Sequence, residues 1–176
     1  MKEVLKFGSM GDSTNLCLSC GLCCDGTLIG FVQLNREELP GLRELLNVEE
    51  ATNDGVLIQP CNRYCGGCTI YSDRPKQCAS YDCELLKSLQ RKELDYTSAI
   101  ETVEVAKQRK SAIEEKLALL QIKLQSQSFY FKMTELKKLY QKNEHELSST
   151  PEFKELIADI KQLDSLLSER FGVTVF

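Results

Sequence analysis

Nine cysteines fall into two groups within the first 83 residues, and the 93 residues that follow contain none. The first group reads Cys17-x-x-Cys20-x-x-Cys23-Cys24, and the second comprises Cys61, Cys65, Cys68, Cys78 and Cys83. Thiols spaced by two residues suit a shared metal centre, because a tight loop brings their sulfurs together. Cysteine thiolates bind zinc ions or iron–sulfur clusters. The pattern therefore predicts a metal-binding protein.

The number of metal centres and the identity of the metal stay open at this level. Four thiolates complete one zinc site or hold one iron–sulfur cluster, so the cysteines either come together from both groups or divide between two centres. Cys23 and Cys24 are adjacent, and in extended backbone their side chains point apart. One can face a first centre and the other a second, or one can sit behind the site. Three cysteines at two-residue intervals with a remote fourth resemble the iron–sulfur run of bacterial ferredoxins, although the proline-flanked fourth ligand of that run is missing. Zinc sites more often use two separated pairs, and Cys17/Cys20 with Cys65/Cys68 would also serve.

Other functional patterns are missing from the sequence. The single histidine, His145, lies between Glu144 and Glu146, and we predict a solvated helix residue rather than a metal ligand. There is no His-Glu-x-x-His motif, no Gly-x-Gly-x-x-Gly motif and no Walker loop. Residues 1–83 carry 7 Lys and Arg against 11 Asp and Glu, and the remainder carries 15 of each. Neither half has the basic excess of a nucleic-acid-binding surface, so we expect no nucleic-acid partner.

The beginning of the chain and its hydropathy predict a cytoplasmic protein. Residues 1–8 contain no apolar core of the length that a secretory signal needs. No later stretch approaches the roughly 20 apolar residues of a membrane-spanning helix, so no membrane partner is expected. Thiols stay reduced in the cytoplasm, which favours metal binding over a secreted disulfide scaffold.

The elements predicted around the cysteines are short. We interpret residues 1–16 as a flexible lead and residues 17–92 as the cysteine-rich domain. Residues 28–34 and 56–59 are predicted as short strands. Residues 36–46 are predicted as a helix, with Asn35 as its N-cap and Glu38 returning the bond. Few large apolar side chains accompany these elements, so bound metal is expected to supply much of the stability.

The chain after Cys83 is predicted to be helical, with a helical extension over residues 97–171. A helix over 84–92 follows directly, and Thr97 or Ser98, the latter with Glu101, is predicted to cap the next helix. A packed seam at 4-3-4 spacing is then formed by Ile113, Leu117, Leu120 and Leu124. The phase of the pattern changes at residues 125–128, where the sequence allows a bend, a stutter or a break.

Two further helices are predicted beyond this change of phase. The first carries a seam of Phe129, Met133, Leu136 and Tyr140. The second begins at Pro151 with Thr150 as its N-cap and ends at Gly172. Its apolar stripe consists of Phe153, Leu156, Ile157, Ile160, Leu163 and Leu167. We expect these two helices to pack antiparallel. The predicted fold class is mostly α: a small, irregular, cysteine-rich metal-binding domain with short strands, followed by an antiparallel helical hairpin or bundle.

Two motifs resemble the signatures of the YkgJ-type cysteine-cluster family. Its first signature, Cys-x-x-Cys-x-x-Cys-Cys, matches residues 17–24. Its second, a cysteine followed by Cys-x-Ile-Tyr-x-x-Arg-Pro-x-x-Cys-x-x-Tyr-x-Cys, matches Cys61 and residues 68–83. The resemblance covers about residues 15–92, and the two motifs agree in order and spacing. The family is described as a zinc- or iron-chelating domain that is also found in flagellin lysine methylases.

The resemblance implies a set of eight metal ligands. They are Cys17, Cys20, Cys23, Cys24, Cys61, Cys68, Cys78 and Cys83. Cys65 departs from the family pattern, and it is a spare thiol, an alternative ligand or a redox-reactive site; we favour the spare thiol. Tyr71 and Tyr81 are predicted to pack around the site rather than to act as catalytic acids.

Arg74 is the residue other than cysteine that we expect to act at the bound metal. Its guanidinium can offset the negative charge of a four-thiolate centre or donate hydrogen bonds to sulfur or to nearby carbonyls. A surface salt bridge with Asp73 or Asp82 is the alternative. Pro75, which follows it, fixes a turn and keeps Arg74 out of helical conformation.

The predicted metal is compatible with three functions. The first is binding of iron, as ions or as an iron–sulfur cluster, or of zinc, in a redox or sensing role. The second is a structural zinc module whose helical extension presents an open seam to a protein partner or to a second copy of the chain. The third is an enzyme related to the flagellin lysine methylases, although no methyl-donor pocket is recognisable and fold likeness does not transfer an activity. The sequence leaves open whether the chain is an enzyme.

Overall fold

The computed structural model describes residues 16–51, 54–142 and 150–176. In chain order the elements are β1 (Phe31–Leu34), α1 (Leu39–Leu42), β2 (Glu49–Ala51), β3 (Asp54–Ile58), a 3₁₀ helix (Tyr71–Asp73), α2 (Lys76–Ser80), α3 (Glu84–Gln90), α4 (Tyr96–Leu119), α5 (Phe129–Lys142) and α6 (Pro151–Phe171). Residues 16–20 are helical as well. The mostly α class is thereby confirmed, whereas His145 and nearly all of the predicted lead lie outside the described residues.

The three strands form one antiparallel sheet in the order β1-β3-β2. The register pairs Phe31 with Ile58 and Leu34 with Gly55. Both predicted strands are present, although β1 begins at residue 31 rather than 28. The sequence did not indicate β2, because its three residues show no alternation of apolar and polar side chains. One sheet face and α1 enclose a small core of Val32, Leu34, Leu39, Leu42, Leu46 and Leu57.

The predicted helix over 36–46 is wrong in length, since α1 is a single turn. Pro40 has no backbone N–H and clashes with the preceding helical turn, so a helix that contains it must begin immediately before it. The predicted return bond is nevertheless formed, because the Asn35 N–H donates to Glu38 Oε2 at 3.2 Å. The other oxygen of Glu38 accepts the backbone N–H of Lys76 at 2.7 Å. Glu38 therefore joins the end of β1 to the start of α2.

The start and end of α4 differ from the prediction. Its N-cap is Asp95, whose carboxylate accepts the Ser98 N–H at 2.7 Å, so neither Thr97 nor Ser98 caps the helix. The helix ends at Leu119, and no helix runs through residues 120–128, which establishes a break among the three possibilities. The carboxylate of Glu135 on α5 holds this connection by accepting backbone N–H groups of Gln125 and Ser126 at 2.9–3.0 Å.

The main partner of α6 is α4 rather than α5. Lys116 on α4 lies 2.6 Å from Asp159 and 3.3 Å from Glu155, while Arg109 donates to Gln162 at 3.2 Å. This order of contacts makes the pair antiparallel. Helix α5 also contacts α6, because the rings of Tyr140 and Phe153 stack with their centroids 6.0 Å apart and both helices contribute to the large core. The antiparallel direction of this smaller contact stays a prediction.

One large hydrophobic core runs through the helices and into the cysteine-rich segment. The predicted α6 stripe is buried throughout, as are Ile113 and Leu117 of α4 and the three apolar residues predicted at the start of the α5 seam. Leu16, Leu22 and Leu28 of the cysteine-rich segment belong to the same core. The boundary between a cysteine-rich domain over residues 17–92 and a helical extension over residues 97–171 stays a prediction. Within the described residues, no helix is both long enough and apolar enough to cross a bilayer.

Candidate metal centre

Eight of the nine cysteines line one cavity of about 240 Å³. They are Cys17, Cys20, Cys23, Cys24, Cys61, Cys68, Cys78 and Cys83. The same cavity is lined by Leu16, Leu85 and Phe171 of the large core and by Leu46 and Leu57 of the small core. The cavity therefore lies between the two cores, and the cysteines approach it from both sides. All nine thiols are free, and Cys65 is exposed outside the cavity.

The first cysteine loop is shaped by a sharp turn at Gly21. The helical residues 16–20 end there, with a backbone φ of 68° and a hydrogen bond from the Gly21 N–H to the Cys17 carbonyl at 3.3 Å. A Cβ at this position would overlap the ring of Tyr64. Glycine is therefore required for the positive φ and for the close approach of the ring.

Two lysines of α4 hold this loop against the helical part of the molecule. Lys110 Nζ lies 2.9 Å from Asp25 Oδ2, and the two side chains are only 15% and 14% exposed. Lys107 Nζ donates to the Ser19 carbonyl at 2.9 Å. A single helix thus fixes both ends of the first cysteine group, a role that the sequence pattern did not indicate because the contacts span 85 and 88 positions.

The second cysteine group is tied to the first through the backbone. The Cys61 N–H donates to the Cys24 carbonyl at 2.8 Å. Beyond it, Tyr64 and Cys68 form an isolated antiparallel bridge around Gly66, whose φ is also 68°. This tight turn directs Cys68 into the cavity lining and leaves Cys65 at the surface.

Packing places six of the eight cavity cysteines against one core or the other. The first quartet, defined as Cys17, Cys20, Cys23 and Cys83, packs against the large core. In the second quartet, defined as Cys24, Cys61, Cys68 and Cys78, the two members Cys61 and Cys78 pack against the small core. We place Cys24 and Cys68 in the second quartet because the Cys24 carbonyl accepts the Cys61 N–H and because Cys68 is an electrostatic neighbour of Cys24 and Cys78.

Burial and mutual repulsion act on the thiols of each quartet. In the first, burial raises the pKa of Cys17, Cys20 and Cys23, and negative charge on Cys83 raises the pKa of each further. In the second, burial raises the pKa of Cys24 to about 12, with further contributions from Cys68, Cys61 and Cys78. Negative charge on Cys24 also raises the pKa of Cys23, its neighbour in sequence. Apart from this adjacent pair, the cysteines that raise one another's pKa belong to the same quartet.

Arg74 also lies in the lining of this cavity. Its guanidinium stacks on the ring of Tyr71 at 3.7 Å, and its Nε and Nη1 atoms are buried without a hydrogen-bond partner among the described residues. Neither atom therefore bonds to Asp73 or Asp82, the salt bridge considered from the sequence. Burial raises the pKa of Cys17 and of Cys78, whereas the positive charge of Arg74 opposes the rise at both.

The thiols line the cavity without meeting at one point. Among residues 16–51, 54–142 and 150–176, no three His, Cys, Asp or Glu side chains have the arrangement needed to hold a metal ion. A mononuclear zinc site would require four sulfurs to close to about 2.3 Å from the ion. An iron–sulfur cluster binds each cysteine at a different iron, so its ligands stay farther apart.

The structure brings together all eight cysteines implied by the motif resemblance and also Arg74, Tyr71 and Tyr81, which line the same cavity. Cys65 is the one cysteine that it leaves out. No family model, curated protein or solved structure matches this chain. The resemblance to the YkgJ-type family therefore stays a prediction that rests on the two motifs.

Proposed function

We propose that this protein binds iron through its eight cavity-lining cysteines, in the form of iron–sulfur clusters, and acts in electron transfer or redox sensing. One observation carries the proposal: thiols from two sequence segments converge on a single cavity, while the thiol outside the motifs points to solvent. Inert buried cysteines are small apolar side chains that pack in cores, and nothing in that role would gather eight of them around a cavity.

The choice of iron–sulfur clusters over zinc rests on space and spacing. A cavity of about 240 Å³ is much larger than one metal ion needs. The first quartet consists of three cysteines at two-residue intervals and a remote fourth, the arrangement that resembles ferredoxins. Partial burial between two apolar cores limits water access, which is one of the means by which proteins set a cluster's reduction potential.

The motif resemblance supports metal binding independently of the cavity. The eight ligands that it implies are the eight cysteines in the lining, and Cys65, which departs from the family pattern, lies outside. Reduced thiols are required for loading, so we propose that the protein works in the cytoplasm. The alternative of an open helical seam is disfavoured by the burial of Ile113 and Leu117 within the chain's own core.

Redox titration of anaerobically purified protein tests this function. We expect a coloured protein whose visible absorption decreases on reduction with dithionite and returns on reoxidation, with a matching electron paramagnetic resonance signal in one state. The Cys65→Ser variant should cycle identically. A colourless protein that holds stoichiometric zinc and shows no change with dithionite would contradict the redox role.

A further inference from the structure

We infer that the cavity holds two separate four-thiolate centres, one in each quartet, and that Arg74 lies between them as a hydrogen-bond donor shared by both. The inference rests on the proposed metal binding and deepens it. It assigns Cys17, Cys20, Cys23 and Cys83 to one centre and Cys24, Cys61, Cys68 and Cys78 to the other.

The separation into two centres follows from what each quartet packs against. All four members of the first contact the large helical core, whereas Cys61 and Cys78 contact the small core of the sheet. The Cys61 N–H bond to the Cys24 carbonyl, at 2.8 Å, fixes Cys24 beside the second set. A single centre would have to draw ligands from two different cores toward one point, at the expense of packing in at least one of them.

The position of each quartet in the sequence agrees with this assignment. Cys23 and Cys24 lie on a tight turn, in which the Asp25 N–H donates to the Gly21 carbonyl at 2.9 Å and the Gly26 N–H to the Cys23 carbonyl at 3.3 Å, and the assignment places these neighbours in different centres. The first quartet closes with Cys83, which is the N-cap residue of α3. The second closes with Cys78 within α2. Two short helices separated by three residues thus deliver the last ligand of each centre.

Arg74 has two buried N–H groups that the described protein atoms leave without acceptors. Leaving a buried donor unsatisfied destabilises the folded state, and more so when the donor is charged. The other buried polar atom without a partner at the cavity, Gln59 Oε1, does not bond to it. Metal-bound sulfur is an acceptor that the cavity would supply on loading, and donors of this kind tune metal–thiolate centres.

The charge of Arg74 fits a place between two centres. Four thiolates leave a net negative charge whether they hold a divalent ion or an iron–sulfur cluster, so two such centres repel each other across a short distance. One guanidinium between them offsets that repulsion, and its planar fork presents donors in two directions. Stacking on the Tyr71 ring at 3.7 Å holds the fork in place.

Cobalt titration of the full-length, metal-free protein under anaerobic, reducing conditions tests the two centres. Co²⁺ is the probe, because its thiolate charge-transfer absorption reports the number of tetrahedral thiolate sites. We expect two Co²⁺ per chain. Cys20→Ser should remove the first site and keep the second, and Cys61→Ser should do the reverse.

The outcomes distinguish this inference from the proposed function. If wild-type protein purified without oxygen holds no metal, the proposed metal binding itself fails; if it holds metal but binds no Co²⁺ through thiolates, the two four-thiolate sites are wrong. If wild type saturates at one Co²⁺, or if either single variant loses both sites, metal binding stands and the two-centre assignment is wrong.

The role of Arg74 is tested in the two single-site backgrounds. Arg74→Gln should weaken Co²⁺ binding roughly 10-fold or more at the remaining site in the Cys20→Ser and in the Cys61→Ser protein. Arg74→Lys keeps the charge but not the fork, so we expect a smaller loss at both sites. Arg36→Gln, a change at an exposed arginine of the same region, should leave both affinities unchanged.

A merely structural role for Arg74 would give another result. It would lower the melting temperature of the metal-free protein, and Arg74→Lys would lose as much affinity as Arg74→Gln. A loss in only one background would assign Arg74 to one centre and overturn the shared role. If Arg74→Gln fails to fold, Arg74→Lys in both backgrounds gives the same comparison.

Discussion

Cys65 differs from the other eight cysteines in its surroundings rather than in its chemistry. It lies on the turn around Gly66, which exposes its thiol, whereas Cys68, three residues later, lines the cavity. We therefore predict that Cys65→Ser leaves the metal content per chain unchanged, while Cys68→Ser loses metal. Elemental analysis of both purified variants measures this. Loss of metal from Cys65→Ser would make Cys65 a ligand.

Gly21 is the residue whose backbone shapes the first cysteine loop. Gly21→Ala would place a methyl group against the Tyr64 ring at a φ of 68°. Gly66 has the same φ but open space around it, so Gly66→Ala isolates the backbone strain, which costs about 1 kcal/mol. We expect Gly21→Ala to lower the free energy of unfolding in urea by more than this control. Equal losses would show that the ring contact is unimportant.

At the scale of elements, helix α4 positions the first cysteine loop through Lys110 and Asp25. Lys110→Met removes the ammonium and keeps the stem, leaving the Asp25 carboxylate buried without its partner. We predict a loss of about 3 kcal/mol in the free energy of unfolding. Lys123→Met, a change at an exposed lysine, should lie within about 0.5 kcal/mol of wild type.

A double-mutant cycle isolates this contact. Asp25→Asn combined with Lys110→Met should cost less than the sum of the two single changes, because each single change removes the same close ion pair and leaves its other member partly buried, Lys110 then keeping only the 4.0 Å contact with Glu114. Urea denaturation of the four proteins measures the coupling. Additive losses would contradict a direct contribution of the ion pair to stability.

The connection between α4 and α5 gives a prediction for acid stability. Backbone N–H groups of Gln125 and Ser126 lower the pKa of Glu135. The Glu135 carboxylate therefore binds a proton less readily in the folded state than in the unfolded chain. Its contribution to the free energy of unfolding is complete above the ordinary glutamate pKa of about 4.3, and it is lost as the pH falls through the lowered pKa of the folded state. Glu135→Gln should reduce the acid-induced loss of stability measured by urea denaturation between neutral pH and pH of about 3.

An exposed carboxylate provides the control for this prediction. Glu101→Gln changes a side chain on the solvent-facing part of α4, and its acid profile should follow that of wild type. If Glu135→Gln loses stability with falling pH as steeply as wild type does, Glu135 does not carry the effect.

Elements were predictable from the sequence where the determinants are local. The 4-3-4 seam of α5, the start of α6 at Pro151 and the Asn35–Glu38 bond depend on residues a few positions apart. The sequence could not indicate that Glu135 holds residues 125–126, nor that Lys110 reaches Asp25, because these partners meet only through the fold. For α1 the local signal is present in Pro40, which restricts the helical turn that precedes it.

At the scale of the whole molecule, the cysteine cavity joins two hydrophobic cores. The large core belongs to the helices and the small core to the sheet, and residues of both line the cavity. The resemblance to the YkgJ-type family implied which eight cysteines come together. It left open their division into quartets, because that depends on which core each loop packs against. Bound metal is expected to stabilise the contact between the two cores, since ligand binding to the native state alone adds to its stability.

The central claim is that eight thiolates bind iron–sulfur clusters, and its most direct test is the content of protein purified without oxygen. Iron, zinc and acid-labile sulfide are measured per chain on the same sample. The account predicts iron and sulfide in similar amounts, little zinc, and a marked loss of both iron and sulfide in Cys20→Ser. Stoichiometric zinc without sulfide, or no metal after reconstitution with iron and sulfide, would contradict it.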